Sequence, residues 1–459
     1  MLLDDPRSQT GGAARRSGMW MASPRARLTA VLSVGAVALL ALQLVASRHH
    51  FTGPLESIWD DFAGNAKSFT VPWAGLGLAL IGLSWRRRFL AVGAALGIDV
   101  AYQTVRSLSG GPLAMGNGPV LVLLSILGLA LWPYGPRAWQ GKDRSNALHA
   151  AALGILLVLS SKVADVWLGI TVLAGPRVLD EHIVLVDHAL GDPSWMAGQL
   201  VDWLGPVASA VLHWVYIELP VGAMIVTIWQ LRNVVGTGVW PRHYLVRTFL
   251  VLGLIGPLFY VLFPVVGPIF AYGADGHAFS LGQYWPNVVP PVDLSPGSIS
   301  FDHFAPRNCM PSLHTAWALS IFIHSRRDPL TGAPAPTWLR WGGAFWLAAT
   351  IGATLGFGYH YGADLIAGAV LCLTIESGLR APERGWDRTR IRLVSAGAAL
   401  FAGLLLSYRY LSTGFAEHPV PAGIIVIGLF VAYVTAFYRT WFAEPAIAPA
   451  TPLEIAARA

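Results

Sequence analysis

Charge is scarce in this chain. Only 12% of its 459 residues are Asp, Glu, Lys or Arg, against 54% hydrophobic, and the mean hydropathy is +0.55. An average soluble domain carries about 25% charged residues, so the composition excludes a soluble enzyme with an added anchor and indicates a polytopic membrane protein. Cysteine is scarcer still, with two residues, Cys309 in a loop and Cys372 in an apolar run. That excludes a disulfide framework, and no bridge is expected between them. Carboxylates are not clustered at metal-binding spacings, so no metal or cofactor is expected. No internal repeat, low-complexity linker or cleavable signal peptide is evident, although the tail "EPAIAPATPLEIAARA", 444–459, reads as exposed and mobile. The formal charge of +6 sits in short loops, where it speaks of topology. Nucleic-acid binding is set aside.

What is abundant is apolar runs near the roughly 20 residues that a bilayer requires, and the chain reads as about twelve helices. They are Leu28 to Ala46, Val71 to Ser84, Phe89 to Val105, Gly118 to Tyr134, Asn146 to Ala174, Val207 to Gln230, Thr248 to Phe263, Pro311 to His324, Trp341 to Phe357, Tyr361 to Leu379, Leu393 to Tyr408 and Pro421 to Tyr438. With the N-terminus inside, most of the 31 basic residues fall in inner loops, among them Arg86, Arg87, Arg88 and the run Arg380 to Arg392. The bias predicts both termini cytoplasmic, in the plasma (inner) membrane.

The chemistry concentrates between Pro306 and Gly368. "PRNCMPSLH" stands at one end and "GYHYGADLIAG" at the other, with one hydrophobic loop out and back between them. His360 and Asp364 are four apart, so on a helix the carboxylate can accept the imidazole N–H, fix its tautomer and leave the other nitrogen free. Pro311 and Ser312 read as a helix start, where free backbone N–H groups and a hydroxyl suit an anion, and His314 follows at once.

These motifs resemble the type 2 phosphatidic acid phosphatase superfamily of membrane lipid phosphatases and phosphotransferases. Its second motif is Pro-Ser-Gly-His, matched by Pro311, Ser312, Leu313 and His314 with Leu in place of Gly; its third ends in His, three residues, Asp, matched by His360 and Asp364. Leu313, Tyr361 and the segment "YVLFPVVGPIF", Tyr260 to Phe270, are more similar to the inositol phosphorylceramide synthase and inositolphosphotransferase-like branch. Ala353 and Thr354 stand where the third motif has Ser and Arg, and the Lys and Arg of the first motif are missing.

The resemblance implies an all-α fold in which a six-helix core, residues 146–380, carries the reaction. Residues 28–145 are then an accessory four-helix region and 381–438 a C-terminal hairpin, with cytoplasmic tails at 1–27 and 439–459. It also implies a phosphohistidine at His360, oriented by Asp364. Phosphoryl transfer further demands a proton for the leaving oxygen, assigned to His314, and donors for the phosphoryl oxygens, assigned to Ser312 and nearby amides. Pro311 and Tyr361 complete the substrate-binding set. Arg307, seven residues before His314, is the candidate to replace the lost guanidinium. Lys162 is a second cation, and its alternative is a structural ion pair with Asp165. Tyr272, His277, Asp302 and His303 lie in a long loop that could cover the site. Asp99 and Glu218 are intramembrane acids without an assigned purpose. In the predicted topology the site opens at the outer face, where a lipid phosphate meets water or a polyol hydroxyl. Three functions stay open: a lipid phosphotransferase, which the Leu313 and Tyr361 variants and the missing arginine favour; a phosphatase acting on polyprenyl or glycerolipid phosphate; and a non-enzymatic carrier or scaffold.

Overall fold

The computed structural model describes residues 24–62, 70–110, 115–132, 140–174, 177–273, 282–300 and 305–443. Helices dominate, and the only named strands among these residues form a two-residue antiparallel pair, Arg177–Val178 with Ile299–Ser300. A first group comprises α1 (Pro24–Arg48), α2 (Pro54–Phe62), α3 (Thr70–Ile81), α4 (Trp85–Leu108), α5 (Asn117–Leu131) and α6 (Gly141–Ala174). A second runs through α7 (Asp180–Ala189), α8 (Pro193–Ile217), α9 (Leu219–Gln230), α10 (Val234–Thr237), α11 (Leu245–Leu262), α12 (Pro268–Tyr272), α13 (Leu313–His324), α14 (Thr337–Gly356) and α15 (Gly362–Leu379). The chain closes with α16 (Arg388–Tyr410), α17 (Ser412–Glu417) and α18 (Pro419–Trp441).

Among the described residues, 7 helices are long and apolar enough to cross a membrane: α6, α8, α9 with its continuation to Thr237, α11, α15, α16 and α18. The structure does not support about twelve. Length is one reason, because α3 and α13 have 12 residues each and α5 has 15. At 1.5 Å per residue they reach roughly 18–22 Å, short of a hydrocarbon core of about 30 Å. Helices α4 and α14, with 24 and 20 residues, are long enough but not apolar enough. The expected single span Val207 to Gln230 is also revised. Pro220 cannot donate a backbone hydrogen bond, so the chain breaks at Glu218 and restarts as α9 with that proline in its first turn. Upstream, α8 reaches back to Pro193 and kinks at Gly205, whose φ of 81° precedes Pro206.

α15 is the most enclosed of the seven, with 72% of its apolar window buried against 11% for α8. It packs on α13, α11, α16 and α18, while α13 also meets α11, α14 and α9. In a bilayer, close packing rather than water exclusion holds such helices together, and small residues permit it. Gly368 is the clearest case: a Cβ there would collide with the Ser312 carbonyl oxygen. The first helical group joins the second through α3 against α9 and α6 against α11. Asp99 acquires a purpose here, since its buried carboxylate accepts the Gly116 N–H at 3.1 Å and the Gly118 N–H at 2.7 Å, capping the start of α5.

Candidate active site

Two helix starts meet at one end of the bundle. Ser312 caps α13, its Oγ accepting the Thr315 N–H at 3.3 Å and sharing a 3.0 Å hydrogen bond with the Thr315 hydroxyl. Tyr361 caps α15, its N–H donating to Asp364 Oδ2 at 2.9 Å. The close approach at Gly368 lets the Ser312 N–H reach the Asp364 carbonyl at 3.0 Å, which locks the two starts together. His314, on the first turn of α13, and His360, just before α15, therefore face each other with ring centroids 6.3 Å apart. One tetrahedral phosphoryl group can bridge that gap.

His360 Nδ1 lies 3.4 Å from Asp364 Oδ2, across the i,i+4 spacing. No hydrogen bond is made at this geometry: His360 Nδ1 and Asp364 Oδ1 are both buried without a partner among the described residues. Burial pushes the His360 imidazole down to about 3, against a smaller opposing pull from a backbone hydrogen bond with Cys309. At neutral pH the ring is uncharged, as a nitrogen nucleophile must be. His314 stacks on Tyr216 at 4.1 Å and 17°, and Tyr216 leans on Tyr359 at 5.0 Å. The Cys309 thiol donates to the Tyr359 carbonyl at 2.9 Å.

α7 braces this constellation with two acids. Asp180 Oδ1 accepts the Tyr361 hydroxyl and the Gly267 N–H, each at 2.9 Å, and Oδ2 accepts the Val266 N–H at 3.1 Å. Gly267, at φ 95°, permits the tight bend that this capture requires. Asp187 Oδ1 accepts the Gly362 N–H and Oδ2 accepts the Ser194 hydroxyl, both at 2.6 Å. Burial pushes both carboxyls up to about 7, although these hydrogen bonds pull the other way. Both acids are missed by sequence reasoning. Asp180, Ile183, Val184 and Asp187 fall at i, i+3, i+4 and i+7, a one-faced helical pattern that could have revealed them.

The remaining candidates scatter. Pro311 and Ser312 are buried beside the facing rings, with the Ser312 hydroxyl committed to its cap. Tyr361 is fully buried, and its hydroxyl bonds to Asp180, so it braces the start of α15 rather than lining a cavity. Arg307 is also fully enclosed, bonded to the Ala305 carbonyl at 2.6 Å and within electrostatic reach of Asp180. Lys162 is buried on α6, which packs on α3, α5 and α11; the Asp165 side chain, its expected partner, lies outside the described residues. So do His277, Asp302 and His303. Tyr272 is buried, with its ring 5.9 Å from that of Trp195. Thr354, where the family motif has Arg, accepts the His360 N–H at its carbonyl, 3.1 Å, and turns its hydroxyl back onto Thr350.

At the other end of α13 and α15 lies a cluster that sequence spacing did not show. Glu376 Oε1 accepts from His324 Nε2 at 2.6 Å and from the Thr248 hydroxyl at 2.5 Å; Oε2 accepts from His243 Nε2 at 3.1 Å and meets Arg380 Nε at 3.4 Å. Gln230 accepts the Leu245 N–H at its Oε1 and sets its Nε2 3.0 Å from His324 Nδ1. That fixes the His324 proton on Nε2, facing the carboxylate.

Residues 181–376 match the family model described as PAP2 superfamily, and residues 27–170 match one described as a domain of unknown function, DUF5933. Residues 181–376 are thus similar to the PAP2 superfamily, a class of membrane phosphatases and phosphotransferases whose members usually act on lipid phosphates. No curated protein and no solved structure matches the chain.

Proposed function

We propose that the protein is a membrane lipid phosphotransferase of the inositolphosphotransferase-like kind, moving a phosphoryl or phosphoryl-polyol group through a phosphohistidine. The observation that carries this is the facing pair His314 and His360 at 6.3 Å with Asp364 behind one of them. His360 Nε2 attacks phosphorus, with the ring proton held on Nδ1 toward Asp364. Burial and the neighbouring His360 push the His314 imidazole down to about 3, so it takes up the proton that a phosphate monoanion brings in and passes it to the lipid oxygen as the bond from phosphorus breaks. An acceptor hydroxyl then attacks phosphorus, and the N–P bond breaks. The His314 N–H in the first turn of α13 and the Arg307 cation balance the phosphoryl charge.

Transfer is favoured over hydrolysis by the Leu313 and Tyr361 variants, by the missing motif arginine, and by a His360 only 3% exposed, a setting that admits an oriented polyol better than bulk water. The reaction unit is 146–380, with 28–145 and 381–438 as additions. The arginines at the opposite end, Arg232, Arg326, Arg327, Arg340 and Arg380, support the reading that this end is cytoplasmic and that the facing histidines lie toward the outer leaflet. Purified protein given a lipid phosphate and labelled inositol should move label into lipid without releasing inorganic phosphate. Stoichiometric phosphate release with no labelled lipid would make it a phosphatase instead.

A further inference from the structure

Two groups of buried metal-ligating side chains come together in the chain, and they differ in what their atoms already bind. Around Glu376 every carboxylate oxygen is taken, with His243, His324, Thr248 and Arg380 all directed at it. At the other group, Cys309 Sγ, a ring nitrogen of His360 and a carboxylate oxygen of Asp364 lie within 4.8 Å of one another. These residues are 1%, 3% and 0% exposed. His360 Nδ1 and Asp364 Oδ1 have no hydrogen-bond partner among the described residues, so two buried polar atoms of this group are left unsatisfied. An orphaned polar atom costs about 1–3 kcal/mol, and a cation between them would satisfy both.

We propose that Cys309 Sγ, His360 Nδ1 and the Asp364 carboxylate form a binding site for one thiophilic divalent cation of the Zn²⁺ class. Sulfur, imidazole and carboxylate together make a zinc donor set. Ligands at roughly 2.0–2.3 Å from a tetrahedral ion stand about 3.3–3.6 Å from each other, so the side chains have to close in only slightly. Binding releases the thiol proton and leaves the single proton of the neutral His360 ring on Nε2, and the Tyr359 carbonyl gives up its S–H donor. The fourth position stays open to solvent or to an anion. Because the ion takes both Nδ1 and the carboxylate behind it, the loaded protein is silent in phosphoryl transfer. This last step rests on the proposed reaction; the site itself does not.

The test uses the full chain, purified in detergent, washed with chelator and titrated with Co²⁺, whose thiolate complex has a charge-transfer absorption. The band should saturate at about one ion per chain, vanish on adding Zn²⁺, be lost in Cys309→Ser and persist in Cys372→Ser. No band, or one that follows Cys372→Ser, overturns the site. One equivalent of Zn²⁺ should lower wild-type turnover at least tenfold and leave that of Cys309→Ser within twofold. Bound Zn²⁺ without inhibition overturns the silencing while the site stands. A chain with no turnover at all counts against the reaction, and the Co²⁺ band still decides the site.

Discussion

Asp187 Oδ1 receives the Gly362 N–H at 2.6 Å, which ties α7 to the backbone two residues after His360. Asp180 holds the residue between them through the Tyr361 hydroxyl at 2.9 Å. The position of His360 therefore depends on acids that touch no substrate. Asp187→Ala leaves the Gly362 N–H and the Ser194 hydroxyl without an acceptor, at about 1–3 kcal/mol for each buried group. It should lower Tm by several degrees and reduce kcat more than it changes KM. Asp187→Asn should recover part of both. An Asp187→Ala variant with wild-type kcat would remove α7 from the positioning of His360.

The same carboxyl gives a pH dependence whose sign is fixed. Its pKa is raised from 3.8 to about 7, so the folded state keeps a proton that the unfolded chain releases across this interval. The stabilising contribution is complete below pH 3.8 and is lost as the pH rises to about 7, at most roughly 1.4 kcal/mol per pH unit. His360 runs the other way, since a pKa pushed down to about 3 costs stability as the pH falls from 6.5. Comparing Tm of wild type and Asp187→Asn cancels the histidine. The wild type should lose ground to the variant between about pH 4 and 7 and keep a constant difference above. A difference that stays flat throughout would mean that the carboxyl is ionised in the fold at all these pH values.

His360→Ala should abolish turnover and the acid-labile, base-stable phosphoenzyme. Asp364→Asn, which still accepts the Tyr361 N–H, should fold and lose about 10²–10⁴ in kcat. Trapping with labelled lipid phosphate separates the two cases: label retained on a His360→Ala protein would assign the nucleophile elsewhere.

How far the sequence could be read depended on the range of the interaction. The cap at Ser312 is local and appears at the position that spacing indicated; His360 comes within 3.4 Å of Asp364 but stands before α15 and does not make the expected hydrogen bond. Asp180 and Asp187 were illegible as site elements because the partners that tie them to the start of α15, Tyr361 and Gly362, stand 181 and 175 residues away, and a ten-residue helix between two apolar runs reads as loop. Span counting failed for a related reason. Apolar runs such as Thr70–Ile81 are buried by neighbouring helices rather than by lipid, and hydropathy alone does not separate the two. Arg307, the candidate to replace the lost guanidinium, is enclosed in the fold within electrostatic reach of Asp180 on α7, which its position in the sequence does not show.

Glu376 makes a different prediction, about stability alone. Its removal leaves His243, His324, Thr248 and Arg380 facing one another without their shared acceptor, and breaking a buried charged network costs about 3–5 kcal/mol. Glu376→Ala should lower Tm in detergent more than any single change at His314 or His360. A small Tm loss beside normal expression would show that the far end of α13 and α15 is held by packing.

Orientation is open to chemical labelling because both native cysteines, Cys309 and Cys372, are buried and give a low background. Asn287 is exposed in the connection between α12 and α13, at the same end as His314. The far end carries the arginines, including Arg232 bonded to Asp328 at 2.6 Å and Arg326 bonded to the Arg340 carbonyl at 2.6 Å, and basic loops stay inside. Asn287→Cys should therefore react with a membrane-impermeant maleimide in intact cells, whereas a cysteine at exposed Arg340 should react only after lysis. The reverse pattern would put the facing histidines on the cytoplasmic side and would require the lipid phosphate to be met in the inner leaflet.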